Sequence, residues 1–277
     1  MITIVDVGAN TGDLIDYIYG ELNIPNVQYL AVEPNKSAFE EILNERGKKH
    51  SGINLEFSAI AEKSGEGKLF AATVMNGQLA SLLPLNKNGN WDTSINLNQE
   101  ELDSDQHLLI EQISVKDLIA KYRLKHIDFL KIDTQGTDIL ILSEFLKLIA
   151  VEVIAVEVES SSTISESHYL NSDNSLERLV ELCKSNELKI IKMFPVNSDC
   201  SEYNVFLAKN IEIYNDLNRK IIFSSMPPFK RFWRVLGIGT SINENYTDLN
   251  RSLLKKLFGA FLHPTSSYKS LVIKLTR

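Results

Sequence analysis

Asp6-Val7-Gly8-Ala9-Asn10-Thr11-Gly12 joins an apolar run, Ile2 to Val7, to a segment with helical spacing. Gly8 and Gly12 let the backbone turn tightly and leave room for a ligand against the main chain. Asp6, at the strand's end, is placed either to accept a hydrogen bond from a cationic ligand group or to fix the loop. About 20 residues beyond the glycines a second acid, Glu33, closes the run Ala31-Val32-Glu33-Pro34-Asn35, where a carboxylate meets the two hydroxyls of an adenosine ribose. A lone GxxxG turn is a packing device, and a lone Glu33 is a solvated strand end. Together, strand, glycine loop, helix, strand and terminal acid select an adenosine-type cofactor. A dinucleotide calls for GxGxxG, so that amides and a helix N-terminus meet the pyrophosphate. Here the loop is GANTG, with an acid two residues before it. That acid suits the ammonium and sulfonium of S-adenosyl-L-methionine better than a pyrophosphate, so the choice falls on a methyl donor.

Methyl transfer to an oxygen is an in-line displacement that needs alignment, exclusion of water and an acceptor for the hydroxyl proton. Asp133, Glu157, Glu159 and a histidine are the candidate bases, with Asp133 and Glu157 taken as the catalytic pair. Ile127–Ile132 reads as a strand running into Asp133, and Val151–Val158 as a strand with Glu157 and Glu159 near its end. Both ends fall where open α/β sheets bind ligands. Alternation places Glu157 and Glu159 on one face; the competing role for Glu157 is a structural carboxylate paired with a lysine. The five histidines read as surface residues, His107 and His168 being the two beside irregular loops. No His/Cys/carboxylate group has zinc spacing, and no metal site is expected. Cys183, in a helical segment, and Cys200, in a loop, read as inert thiols.

The elements that must hold these residues alternate. Ile2–Val7, Val27–Glu33 and Ile53–Ile60 read as strands, with helices over 12–22, capped by Thr11, and over Ser37–Arg46. An extra strand is expected over 65–75. An irregular Asn-rich stretch follows over 76–108 with Trp91 near its middle, either a lid or a surface insertion. Extended Ile110–Val115, helix Lys116–Tyr122, strand Ile127–Ile132, helix Gly136–Leu148 and strand Val151–Val158 come next. A Ser/Asn-rich loop over 160–175, helix Leu176–Asn186 and strands Lys189–Phe194 and Asn204–Ala208 complete the pattern. Alternation of this kind gives a doubly wound α/β fold, a parallel sheet with crossover helices on both faces.

These residues resemble a known family. DVGANTG (6–12), AVEPN (31–35), SAIAEKSGEGKLF (58–70), the segment SVKDLI (114–119) and LKIDTQGTDILIL (130–142), in that order over about residues 1–208, are similar to the FkbM family of S-adenosylmethionine-dependent methyltransferases. The resemblance implies a class I methyltransferase (Rossmann-like) sheet, six strands parallel and one antiparallel. It also implies O-methylation, often of sugar or other secondary-metabolite hydroxyls. Gly8, Ala9, Asn10 and Gly12 would cradle the methionine part. Glu33, followed by Pro34, would hold the ribose. Ser58, Ala59 and Ile60 would meet the adenine, and Asp133 would face the transferred methyl group. Where the family usually has Glu, this chain has Gln135, which argues against a divalent ion shared by Asp133 and Glu157. Asp138 replaces the usual Glu after the glycine. The chain starts almost at its first strand, so cover for the pocket is expected from 76–108, 160–175 or the tail.

The chain of 277 residues is 44% hydrophobic and 23% charged, the composition of a globular protein. Its formal charge of −7 divides unevenly: residues 1–220 hold 20 Lys+Arg and 34 Asp+Glu, residues 221–277 hold 9 and 2. The acidic body argues against duplex nucleic acid as a partner. Residues 1–210 read as the methyltransferase domain and 211–277 as a basic extension with a helical pattern near its end. The extension is expected to dock on the domain, with contact to an anionic membrane surface or self-association as its other readings. The start has no secretory n-region and no apolar run reaches the ~20 residues of a membrane span, so a cytoplasmic location is expected. The expected function is S-adenosylmethionine-dependent O-methylation of a sugar, glycan or glycolipid-like hydroxyl. A catalytically inactive binding or scaffold protein on the same fold, and an RNA methyltransferase, are the alternatives.

Overall fold

The computed structural model describes residues 1–21, 26–50, 52–89, 106–160, 167–196 and 200–214 of the chain. Ten strands follow one another along the described residues. They are β1 (Ile2–Val7), β2 (Val27–Val32), β3 (Ile53–Glu56), β4 (Ala59–Ala61), β5 (Gly65–Phe70), β6 (His107–Ser114), β7 (Ile127–Ile132), β8 (Val151–Glu159), β9 (Lys189–Pro195) and β10 (Glu202–Ala208). Seven of them form one sheet in the order β3-β2-β1-β7-β8-β10-β9. The first five pair in parallel, and β10 runs antiparallel to both β8 and β9. Six strands therefore point one way and one points back, the α/β arrangement expected. β1, β7 and β8 are apolar runs because both faces of a parallel sheet are covered; Ile4, Val5, Ile127, Leu130 and Ile154 are buried.

Helices α1 (Asp13–Ile15), α2 (Lys36–Ile42), α3 (Val115–Tyr122), α4 (Asp138–Leu148) and α5 (Leu176–Ser185) pack around the sheet. Three start on a polar side chain that takes an orphan N–H. Asn35 accepts from Ser37, Ser114 from Asp117 and Ser175 from Arg178. The first helix departs from expectation. Its N-cap is Gly12, left-handed at φ 87, rather than Thr11, and α-helix covers only Asp13–Ile15 before π-helical turns take over at Asp16–Glu21.

The run 53–60 is not one strand. Ile53–Glu56 belongs to the large sheet, and Ala59–Ala61 joins a second sheet of order β4-β6-β5. The chain turns off at Phe57 and Ser58 because Glu56 points inward. There the Glu56 carboxylate accepts from Tyr122 Oη at 2.8 Å and Ser58 Oγ at 3.1 Å and pairs with Lys121 Nζ at 2.6 Å. The expected strand 65–75 ends at Phe70, where Ala71 and Met75 take positive φ around a 3₁₀ turn, Val74–Gly77. That turn brings Ser81 back beside Phe70. Val74, Leu79 and Leu85 close around Tyr169, and Asn86 Nδ2 donates to the Ser167 carbonyl at 2.7 Å. Residues 70–89 thus form a roof tied to the loop after β8. Trp91 and residues 90–105 lie outside the described residues, as does the basic extension except for 211–214. Among the described residues no helix is long and apolar enough to cross a membrane.

Candidate active site

Strands β1, β2 and β7 end side by side, and the loops leaving them surround one cavity of about 610 Å³, its open mouth included. Gly8, Asn10, Glu33, Pro34, Ser58, Ala59, Ile60 and Asp133 line it, together with Gly77, Gln78, Ser81 and Leu82 from the roof. The first eight are among the residues expected from the sequence. The other four fall in 76–108, one of the segments expected to cover the pocket, where no periodicity marks individual positions.

Asp6, Ala9 and Gly12 are not among the lining residues. Gly12 belongs to the helix start, where a side chain would crowd Arg46 and Ile42 of the neighbouring helical segment. Gly8 has φ 74, and a Cβ on it would overlap the Asp133 carbonyl oxygen. The loop therefore lies directly on the end of β7, and the Asp133 N–H donates to the Val7 carbonyl at 3.0 Å.

Asp6, expected either to meet a cationic ligand group or to fix the loop, has the contacts of a loop-fixing residue. It is 1% exposed, accepts from Tyr29 Oη at 2.7 Å and pairs with Lys131 Nζ at 3.3 Å. Burial pushes its carboxyl upward against the opposing pull of Lys131 and Tyr29. Lys131 Nζ also donates to the Gly8 carbonyl at 3.1 Å and lies 3.4 Å from Asp133 Oδ2. Burial lowers the Lys131 pKa, but the Asp6 and Asp133 carboxylates outweigh it and hold the ammonium above its usual value. Lys131 thus braces glycine loop and β7 end as a charged residue. The signal available for it was a lysine set among apolar neighbours in IDFLKI, which demands a buried acid.

Glu33 is nearly buried. Its Oε2 accepts from the Asn10 N–H and its Oε1 from the Asn35 N–H, both at 2.7 Å. Burial raises its carboxyl to about 7 against the lowering effect of those two amides. A carboxylate offers about four acceptor positions, so two remain for ligand hydroxyls. Ser58 lines the cavity, and its Oγ donates to Glu56 Oε1 at 3.1 Å.

Asp133 reaches the cavity, whereas Glu157 stands behind it and is not among the lining residues. Between them lies Gln135, whose Nε2 is 3.0 Å from Asp133 Oδ1 and 3.4 Å from Glu157 Oε1. Burial, then the Asp133, Glu202 and Asp138 carboxylates, push the Glu157 carboxyl well up, with Lys131 opposing. Of the two acids expected as the catalytic pair, Asp133 lines the cavity and Glu157 does not. The pairing weighed for Glu157, a lysine, is an amide instead. Glu159 is buried, accepting from Ser167 Oγ at 2.8 Å. His168 is buried with Nδ1 2.9 Å from Glu202 Oε1, and His107 lies exposed on β6. Among the described residues no histidine lines the cavity.

Asp138, 1% exposed, shapes the loop after β7. Its Oδ1 accepts from the Thr134 N–H at 2.8 Å and its Oδ2 from the Gly136 N–H at 3.0 Å. Burial, then Asp133, raise its carboxyl to about 7 while those amides oppose the rise.

A family model described as Methyltransferase FkbM domain matches residues 6–183. No curated protein matches the chain. Among solved structures, a methyltransferase FkbM from Methylobacillus flagellatus KT aligns with 12% identity and a TM-score of 0.45, over 74% of this chain and 43% of that one. This chain thus spans less than half the length of that protein. A magnesium protoporphyrin IX methyltransferase (ChlM) from Synechocystis PCC 6803, solved with bound SAM, aligns with 7% identity and a TM-score of 0.37, over 76% and 70% of the two chains. A SAM dependent methyltransferase from Aquifex aeolicus aligns with 11% identity and a TM-score of 0.37, over 76% and 82%.

Proposed function

The chain belongs to the methyltransferase FkbM family, and from that premise we propose that it transfers the methyl group of S-adenosyl-L-methionine to a hydroxyl of a sugar, glycan or glycolipid-like acceptor. The observation that carries the reading is the convergence of Gly8, Asn10, Glu33, Ser58, Ala59 and Asp133 on one cavity at the C-terminal ends of parallel strands. The residues fit the donor chemically. Two free acceptor positions on Glu33 match ribose hydroxyls, the Ser58–Ala59 backbone matches an adenine edge, and the Asp133 carboxylate matches a sulfonium.

When bound, S-adenosylmethionine supplies an electrophilic methyl carbon, to which the acceptor oxygen bonds as the carbon–sulfur bond breaks and S-adenosylhomocysteine leaves. Asp133 has two tasks in that step. Its charge offsets the sulfonium, and its carboxylate takes the hydroxyl proton. Lys131 and Gln135, each on one oxygen, fix the direction in which that carboxylate points. The roof residues Gln78, Ser81 and Leu82 line the cavity, and on this reading they keep water from the transfer and meet the acceptor. Acceptor choice on this reading belongs to the roof, because loops carry specificity on a shared scaffold.

Calorimetry with S-adenosylhomocysteine tests the donor half: micromolar or tighter binding is expected, and a folded protein that binds none overturns it. Transfer of labelled methyl from S-adenosylmethionine to a panel of sugars, glycolipids and RNA tests the acceptor half. Label on RNA alone, or donor binding with no transfer, replaces the sugar reading with the nucleic-acid or scaffold one. The excess of basic residues over 221–277 adds a location to this proposal, a peripheral seat on anionic membrane. Flotation with anionic liposomes checks it, and equal flotation with and without those residues defeats it.

A further inference from the structure

At the position where the sequence lacks an expected carboxylate, Gln135 makes three contacts that no carboxylate could make together. Nε2 donates to Asp133 Oδ1 at 3.0 Å and reaches Glu157 Oε1 at 3.4 Å, while Oε1 accepts from Tyr169 Oη at 2.8 Å. The residue is left-handed at φ 58, and its own carbonyl accepts from Ser81 Oγ at 2.5 Å. Its partners fix the amide's orientation. The reverse setting would press Oε1 against Asp133 Oδ1, two acceptors with no proton between them.

We propose that Gln135 is a positioning residue for methyl transfer, its amide aiming the Asp133 carboxylate at the sulfonium while Tyr169 locks that amide to the roof. The proposal rests on the methyl-donor reading given above. Tyr169 is well placed for this part. Its ring lies against Gly136, where a Cβ would come within 2.9 Å of it, and it packs with Val74, Leu79 and Leu85 of the roof. Movement of the roof is therefore felt by the amide that holds Asp133.

The local charges explain why the side chain is neutral. Facing Gln135 are Asp133 from β7, Glu157 from β8 and Tyr169 from the loop after β8. Lys131 of β7 and Asp6 of β1 stand behind Asp133, and Asp138 of α4 and Glu202 of β10 act on Glu157 from further off. A carboxylate at position 135 would be a further acid within 3.0 Å of Asp133. Two carboxylates that close do not both ionise. Gln135→Glu keeps the shape but makes the donor depend on a proton.

The test uses the full chain and two probes that differ by one charge, S-adenosylmethionine (a sulfonium) and S-adenosylhomocysteine (a neutral thioether). Their affinity ratio, taken by calorimetry at several pH values from 6 to 9, reads the carboxylate beside the sulfur. Ionisation of Glu33, Asp138 and Glu157 is common to wild type and variants, so the wild type's ratio at each pH is the reference for each variant. Gln135→Glu should match it at the acid end and depart by about 5-fold or more at the alkaline end as the new acid ionises. Gln135→Leu should change the ratio by a similar factor at every pH, with S-adenosylhomocysteine affinity held within about two-fold. Tyr169→Phe, which removes only the hydroxyl, should move it in the same direction by less, and it keeps the test open where Gln135→Leu does not fold. A ratio that follows the wild type's at every pH in Gln135→Glu and Tyr169→Phe, with both probes still bound, overturns the positioning role alone. A folded wild type that binds neither probe removes the donor reading and this proposal with it.

Discussion

Strands β1, β7 and β8 carry polar side chains at both ends. At the C-terminal ends stand Asp6, Lys131, Asp133 and Glu157; at the N-terminal ends stand Thr3, Asp128, Glu152 and, one residue before β7, His126. At the lower end Asp128 Oδ2 accepts from the Thr3 N–H at 2.8 Å. His126 Nε2 lies 3.4 Å from Glu152 Oε1, with the two side chains 40% and 42% exposed. These three side chains bring their ligand atoms within 4.8 Å of one another, yet water reaches them and screens their charges. At the upper end Asp6 and Lys131 are 1% and 7% exposed, so each charge must be matched by another. Residue type does not separate the two ends. Cover does: the upper end lies under the roof and the glycine loop, where every charge is held in a fixed direction.

The strongest test of this contrast is Gly8→Ala. A methyl at Gly8 overlaps the Asp133 carbonyl, so a loss on the order of 4 kcal/mol or more is expected in denaturant unfolding, with S-adenosylhomocysteine binding abolished. A variant as stable as its parent would mean that loop and β7 do not touch. Lys131→Met comes next. It strips the cation from two acids and should cost about 3–5 kcal/mol, whereas Asp128→Asn at the open end should cost about 0.5 kcal/mol or less. Similar losses for the two would erase the distinction.

Glu33→Ala should weaken S-adenosylhomocysteine binding by about 1–3 kcal/mol and lower stability as well, because the Asn10 and Asn35 amides lose their acceptor. Glu33 and Asp138 have carboxyls raised to about 7. Each keeps a proton that the unfolded chain has already released, so their contribution to stability falls as pH rises from about 4 toward 7. The ligand-free protein should therefore lose melting temperature between pH 5 and pH 8, and Asp138→Asn should lessen that loss. Ribose hydroxyls donate to an ionised Glu33, so S-adenosylhomocysteine should bind more tightly at pH 8 than at pH 6, a difference that Glu33→Gln removes. His126→Ala closes the series with a change within about 0.5 kcal/mol and no change in ligand affinity; a large loss there would give the lower end a role of its own.

The primary sequence determined the alternation of strands and helices, the glycine loop and the acid after β2, because these are local patterns. An apolar run with a turn at its end reads the same before and after folding. β1, β7 and their terminal acids were legible for that reason. Tertiary structure alone decided what happens across chain separations. It divided 53–60 between two sheets, since an apolar run does not show where its pairing partner changes. It paired Asp6 with Lys131 and Tyr29, put Glu157 behind Gln135, and brought Ser81 and Tyr169 onto the loop after β7. Each of these depends on which distant groups share a space without water, and the strength of a charge or a hydrogen bond is set by that space.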